Sequence, residues 1–267
     1  MRPIGFFDSG VGGLGIFQQT TKKLPHHDFV YIADNANLPF GEKSTEQLHQ
    51  ITEKIVRFLI EKHNVQMVVA ACNTGTVSSI DYLRARFSIP FVGTVPVVKP
   101  TCEQSKNKRV AILATLATSQ SDYLKKLIKQ YAQDTNHVDV LVIPCPGLAD
   151  IIDTGNLDSP EITELLKRFL APALTHDVDV IGLGCTQYPF VRKQIEKLIP
   201  PNILILDSNE PVARQVERII MQQAPDINPE YKPIYTFYAT KNAPEFCRVA
   251  QKLIGPMVKN CLTAKLE

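Results

Sequence analysis

ITEKIVRFLIEKHNVQMVVAACNT (residues 51–74) and ITELLKRFLAPALTHDVDVIGLGCT (residues 162–186) are two versions of one pattern. Each starts with apolar residues at helical spacing, passes through a turn and ends in a buried-strand run rich in Val, Ile or Ala. Each then sets a cysteine, closely followed by threonine, just past that run. The beginnings of the two halves also correspond. An apolar run at 4–7 feeds DSGVGGLG, and another at 110–113 feeds ATLATSQS. Both read as a first strand running into a small, polar loop before a helix.

Further apolar runs at 29–32, 67–71, 138–143, 178–183 and 203–206 alternate with amphipathic stretches at 46–62, 123–133, 162–174 and 191–198. Such alternation predicts parallel sheets covered by helices. Runs that are apolar throughout predict strands buried on both faces. The expected fold is therefore α/β: two similar parallel-sheet domains related by pseudo-two-fold symmetry, with the active site in the interdomain cleft. The first domain is expected at 1–97 plus 208–267, and the second at 98–207. Helices at 211–223 and 244–253 are expected to return to the first domain as packing elements.

Composition removes several function classes. The chain has 267 residues, of which 44% are hydrophobic and 21% charged, as in ordinary globular proteins. Its 29 Lys and Arg against 27 Asp and Glu leave a net charge of +2 with no basic block, so no nucleic-acid partner is expected. No apolar run reaches the ~18–20 residues of a membrane span. The N-terminal MRPIGFFDSGVGG lacks the apolar core of a signal peptide. A cytoplasmic protein without a membrane partner is the expectation. The six cysteines, at 72, 102, 145, 185, 247 and 261, form no CxxC pair. That spacing argues against zinc and against a disulfide framework.

In open α/β sheets, ligands bind beyond the carboxyl ends of the strands. Two similar halves with those ends facing each other would set Cys72 and Cys185 on opposite walls of one cleft. Inverting a carbon centre needs one group to take a proton from one face and another to supply it to the other. A thiol suits both tasks, because its ordinary pKa of about 8.5 is within reach of neutral pH. Asn73, Thr74, Thr186 and Gln187 bring short polar groups to the two strand-to-helix turns, where backbone N–H groups favour an anion. Asp8 and Ser9 end the first strand. There a carboxylate could hold a substrate ammonium, draw a proton from a thiol, or cap a helix. Cys102, Cys145, Cys247 and Cys261 are read as packing residues, because free cysteine is among the most buried residue types. The six histidines lie outside the motifs and are read as solvated or structural.

Residues 10–15, GVGGLG, form a literal GxGxxG after a strand, with Asp34 about 20 residues on, as in a dinucleotide fingerprint. Against that reading, the Asp8 charge would face the pyrophosphate, and no basic residue marks a hydroxy-acid carboxylate site. No cofactor is expected.

Six spaced segments, FDSGVGGL (7–14), ADNANLPFGEKS (33–44), ACNT (71–74), LATLATSQSDY (113–123), CPGLADIIDTG (145–155) and GCTQYP (184–189), resemble the glutamate racemases of the cofactor-independent aspartate/glutamate racemase superfamily. The resemblance implies two α/β domains around a glutamate site, a homodimer, and no cofactor or metal. It implies that Cys72 and Cys185 are the alternating proton donor and acceptor, with Asp8 beside Cys72 as a third catalytic group. Asp8, Ser9, Phe40, Gly41, Asn73, Thr74, Thr186 and Gln187 would contact substrate, with Asp153, Thr115 and Thr118 as auxiliary positions. The product, D-glutamate, would serve peptidoglycan synthesis in a bacterial cytoplasm.

The chain departs from the family pattern at four places. Gln187 stands where the family has His, Asp153 where it has Glu, Phe40 where it has Tyr, and ACNTG replaces ACNTA. Gln cannot accept a proton, so one aid to ionising Cys185 is missing, and helix-start N–H groups are expected to serve it instead. Two other readings stay open: a relative that acts on another substrate such as aspartate, and a catalytically impaired relative that binds a protein partner.

Overall fold

The computed structural model describes residues 2–223 and 228–266. In chain order it runs β1 (Ile4–Asp8), α1 (Leu14–Lys23), β2 (Phe29–Ala33), α2 (Thr45–His63), β3 (Met67–Ala70), α3 (Asn73–Arg86) and β4 (Phe91–Gly93). Next come α4 (Val98–Gln104), β5 (Arg109–Ala114), α5 (Leu116–Gln120), α6 (Asp122–Ile128), β6 (Asp139–Pro144), α7 (Leu148–Asp153), α8 (Pro160–Thr175), β7 (Val180–Leu183), α9 (Arg192–Leu198) and β8 (Leu204–Leu206). The chain closes with α10 (Asn209–Gln222), β9 (Tyr235–Ala239), α11 (Ala243–Ile254) and β10 (Cys261–Thr263).

Two compact units result, one of Met1–Thr94 with Asn209–Glu267 and one of Val95–Ser208. The first holds a sheet of order β10-β9-β2-β1-β3-β4 and the second a sheet of order β6-β5-β7-β8. Every pairing in both is parallel. The repeat in the sequence is a repeat in topology: β2-β1-β3-β4 in one unit matches β6-β5-β7-β8 in the other. The α/β class with two parallel sheets is as expected from the alternating pattern.

Alternation along the strands explains how each unit fills both layers. Phe6 meets Phe17 of α1, which also packs on Phe29, Tyr31 and Phe237. Phe7 points the other way, into a core with Ile32, Ile55, Leu59, Val68 and Ala70 under α2 and α3. In the second unit, Leu113, Ile143, Leu166, Ile181 and Leu183 form one layer, while Val98, Val110, Ile112, Leu124 and Val180 form the other. Local signals set the helix ends. The Ser44 hydroxyl accepts the Gln47 N–H at 3.2 Å and the Gln47 side chain accepts the Ser44 N–H at 2.9 Å, a reciprocal cap that starts α2. Asn64 ends it in the left-handed conformation, φ 50°.

Three strands were not among those expected: β4, β9 and β10. β4 and β10 are three residues each, too short to show a periodicity. The helix expected at 123–133 is α-helical only to Ile128 and continues as a π-turn over Lys129–Gln133. No helix among the described residues is long and apolar enough to cross a membrane.

The glycine loop is explained by protein packing. A Cβ on Gly13 would lie 2.6 Å from the Ala71 Cβ and 3.1 Å from Asp8 Cβ and Tyr31 Oη. A Cβ on Gly15 would lie 2.6 Å from the Asn209 amide of α10. Asp34, the acidic residue of the apparent fingerprint, is fully buried; its carboxylate accepts Thr240 Oγ1 at 2.8 Å and Asn37 Nδ2 at 3.0 Å. It ties the ends of β2 and β9 together.

Two outcomes follow from this packing. Gly13→Ala forces the first loop away from Ala71 and is expected to lower stability by about 1–3 kcal/mol, read as a drop in urea midpoint at unchanged slope. His27 is buried, and neither ring nitrogen has a hydrogen-bond partner among the described residues. Burial, with His26 adding to it, lowers its pKa from the usual value. The folded state therefore holds the ring neutral, and the unfolded chain binds the extra proton below pH about 6.5. Stability should fall between pH 7.5 and 5.5, and His27→Leu should flatten that fall in parallel urea titrations.

Candidate active site

Parallel order reverses direction about β1 in one unit and about β5 in the other, so the crevices lie beyond the carboxyl ends of β1 and β3, and of β5 and β7. The residues singled out from the sequence lie mainly at these ends.

In the first unit, Asp8 is the last residue of β1 and its Oδ1 accepts the Gly10 N–H at 2.7 Å. Tyr31 Oη donates to the Gly10 carbonyl at 2.9 Å, which pins the loop from beneath. Ser9 Oγ lies 3.8 Å from Cys72 Sγ. Cys72 is the N-cap residue of α3, extended at φ −110° and ψ 126°, and its carbonyl accepts the Thr76 N–H at 2.8 Å. Asn73 and Thr74 form the first turn of that helix. The ring of Phe40 packs with Cys72 and Leu48 and comes against Gly75, where a Cβ would stand 3.5 Å from Phe40 Cδ2. Gly41, in the same 3-10 turn, is exposed.

The electrostatics of Cys72 run against a simple expectation. Burial pushes its thiol up to about 12, and the negative charge of Asp8 pushes the same way. N–H groups of Gly75 and Ser9 and the Ser9 hydroxyl pull it back. By field alone, then, Asp8 disfavours the thiolate. It can favour proton loss only by receiving the proton or by attracting a cation.

In the second unit, Cys185 follows β7 and donates its thiol hydrogen to Gln187 Oε1 at 2.8 Å. Thr186 Oγ1 reaches the same oxygen at 3.4 Å. A hydrogen bond of this sense favours the neutral thiol. The segment after Cys185 does not start as an α-helix: the residue is followed by a turn and a 3-10 segment, Tyr188–Val191, and α9 begins only at Arg192. Pro189 stands within that segment and lacks the N–H a regular first turn would offer.

The auxiliary positions fall in two places. Thr115 caps α5, accepting the Thr118 N–H at 3.2 Å and donating to Thr118 Oγ1 at 3.0 Å, at the end of β5 beside β7. Asp153 is half-buried at the end of α7, which packs on the 3-10 segment after Cys185.

The supports of both cysteines lie outside the candidate site residues that the sequence singles out. Tyr188 is wholly buried, and its hydroxyl donates to the Cys145 carbonyl at 3.4 Å. Burial, and then the neighbouring Cys185, raises its pKa well above the usual value, so it stays neutral. Its place in GCTQYP was the available signal. Gly75 and Tyr31 carried none that their spacing could reveal. No group of three or more His, Cys, Asp or Glu residues that could hold a metal occurs among the described residues.

The Asp/Glu/Hydantoin racemase family model matches residues 15–216. A glutamate racemase of Herpetosiphon aurantiacus is 40% identical over 253 residues, covering 94% of this chain and 98% of the relative. Among solved structures, the glutamate racemase isoform RacE1 of Bacillus anthracis superposes with a TM-score of 0.85 at 28% identity, over 99% of this chain and 98% of the other. The Escherichia coli glutamate racemase, solved with L-glutamate and the activator UDP-MurNAc-ala, gives 0.83 at 28% identity over 95% and 96%. With its duplicated parallel sheets and a cysteine after each equivalent strand, this chain belongs to the Asp/Glu/hydantoin racemase family.

Proposed function

We propose that this protein is a glutamate racemase that interconverts L- and D-glutamate through two thiols, Cys72 and Cys185, without a cofactor. The observation that carries the reading is that each cysteine follows the equivalent strand of a repeated topology, β3 in one unit and β7 in the other. Relatives named as glutamate racemases, one of them solved with L-glutamate, support the choice of substrate.

In the proposed reaction one sulfur, as thiolate, removes the α-proton, and the other, as thiol, delivers its proton to the opposite face of the flattened carbon. The reverse direction exchanges the two roles. Asp8 holds the substrate ammonium, whose positive charge offsets the field that keeps Cys72 protonated. Ser9, Asn73 and Thr74 at one thiol, and Thr186 and Gln187 at the other, supply polar contacts, while Phe40 and Gly41 border the first. Thr115, Thr118 and Asp153 support the second. Gln187 accepts from the Cys185 thiol in its present orientation. Turned by half a rotation, its amide would instead donate Nε2–H to the thiolate. It serves both states of the sulfur but never takes up the proton itself. The D-glutamate would supply peptidoglycan synthesis in a bacterial cytoplasm, and the working unit would be a homodimer.

Incubation with L-glutamate in D₂O tests the reading. Deuterium should enter the α-carbon, and Cys72→Ser and Cys185→Ser should each cut racemisation by about 10²–10⁴-fold. Incorporation with aspartate alone would assign a different substrate, and none with any amino acid would sink the racemase reading.

Two refinements carry their own checks. With the free thiol near pH 12, kcat/KM for the enantiomer that Cys72 deprotonates should climb by up to about tenfold per unit between pH 6 and 8. Asp8→Asn should lower that thiol pKa, by removing a like charge, yet raise KM. Gln187→His adds a group able to take the Cys185 proton, and turnover should increase in the direction that uses Cys185 as base. An unchanged rate would remove Gln187 from the account.

A further inference from the structure

Cys247 and Cys261, read from the sequence as packing residues, stand on two elements that meet, α11 and β10. Both are half-buried and not bonded to one another covalently. The sheet register fixes where Cys261 stands. Phe6 pairs with Tyr31, Tyr31 with Phe237, and Phe237 with Cys261. These four residues form one row across β1, β2, β9 and β10, so their side chains leave the same face of the sheet. That face is the one covered by α11, because Phe246 stacks on Tyr31 with ring centroids 6.0 Å apart. Cys247 is the next residue of the helix, one turn after the buried Ala243 and three before the buried Ala250. It therefore flanks the inward stripe of α11, a helix that packs against β10. The two thiols are near enough there for Cys247 to act on the titration of Cys261. Burial, and then the neighbouring Cys247 thiol, pushes the Cys261 thiol up.

We propose that Cys247 and Cys261 are an oxidisable dithiol, which reacts with low-molecular-weight disulfides to form an intrachain bond tying the last helix to the edge strand. The exchange balances in two steps. The Cys247 thiolate attacks one sulfur of the external disulfide, forming a mixed disulfide and expelling one thiolate. Cys261 gives up its proton to solvent, attacks the Cys247 sulfur and expels the second. Two protein thiols are oxidised, and one disulfide is reduced to two thiols. The pair lies four places along the sheet from β3, the strand that precedes Cys72, so its chemistry is separable from that of the proposed active site.

Oxidised glutathione is the probe, applied to the full chain and read by intact mass and peptide mapping after alkylation. The expected product has lost two hydrogens, contains a linked 247–261 peptide, is refractory to iodoacetamide at both positions and reverts with dithiothreitol. Cys261→Ser should instead stop at a stable glutathione adduct on Cys247. Phenylarsine oxide, which bridges adjacent thiols, should bind the wild-type pair and lose that site in Cys247→Ser. Glutathione adducts persisting on the wild-type pair, or a link joining either cysteine to another, would overturn the proposal. None of these readouts depends on racemisation.

Discussion

Parallel pairing on both sides of one central strand is the constraint from which the rest of this protein follows. β1 lies between β2 and β3, and β5 between β6 and β7, so all the flanking strands must run the same way and end at the same side. Polar residues at those ends cannot be absorbed into the ladder. Asp8, Ser9 and Cys72 gather at one such end; Thr115 and Cys185 gather at another. The apolar strands beneath them are buried on both faces and hold these ends rigidly. The close approach of Gly13 to Ala71 does the same for the first loop: it brings the β1 and β3 ends together with no side chain between them.

The two ends are built alike in backbone and unlike in chemistry. Cys72 sits at the start of a fourteen-residue helix, shielded by Phe40 and faced by a carboxylate. Cys185 sits ahead of a proline-containing 3-10 segment and gives its hydrogen to an amide. Duplication supplies a sulfur at each position, and divergence sets how readily each sulfur holds its proton. The proposed reversible reaction would tolerate this asymmetry, because in it each sulfur would act as acid in one direction and as base in the other.

Much of the fold was legible because burial on both faces leaves an unmistakable trace. Residues 4–7, 67–71 and 178–183 read as strands without any partner in view. β4 and β10 did not, since three residues hold no period, and their pairing is decided by the neighbouring strand. β9, with Tyr235, Thr236 and Phe237, carries good strand formers, but it follows a Pro-containing loop and was overshadowed by the helices around it. Of the site, the residue types and their order were legible. The sense of the Cys185 hydrogen bond was not, because Gln187 can accept or donate and only its orientation decides. What the Asp8 charge does to Cys72 was not legible either: spacing shows that a carboxylate is near a thiol, and burial determines what its charge then does. The contact between Cys247 and Cys261 needed the sheet register, since nothing in their spacing relates a helix flank to an edge strand.

The first unit is interrupted in sequence: β9 and β10 arrive only after the whole second unit has been made. During synthesis on the ribosome, domains fold largely as they emerge. The uninterrupted second unit can finish early, whereas β2 must wait as an open edge until Tyr235–Ala239 appears. That edge carries Phe29, Val30, Tyr31 and Ile32, all buried in the finished protein, and unpaired apolar edges invite pairing with other chains. The nascent chain is therefore most vulnerable to aggregation in the interval before Tyr235–Ala239 is translated, and a product truncated ahead of that strand would inherit the vulnerability permanently.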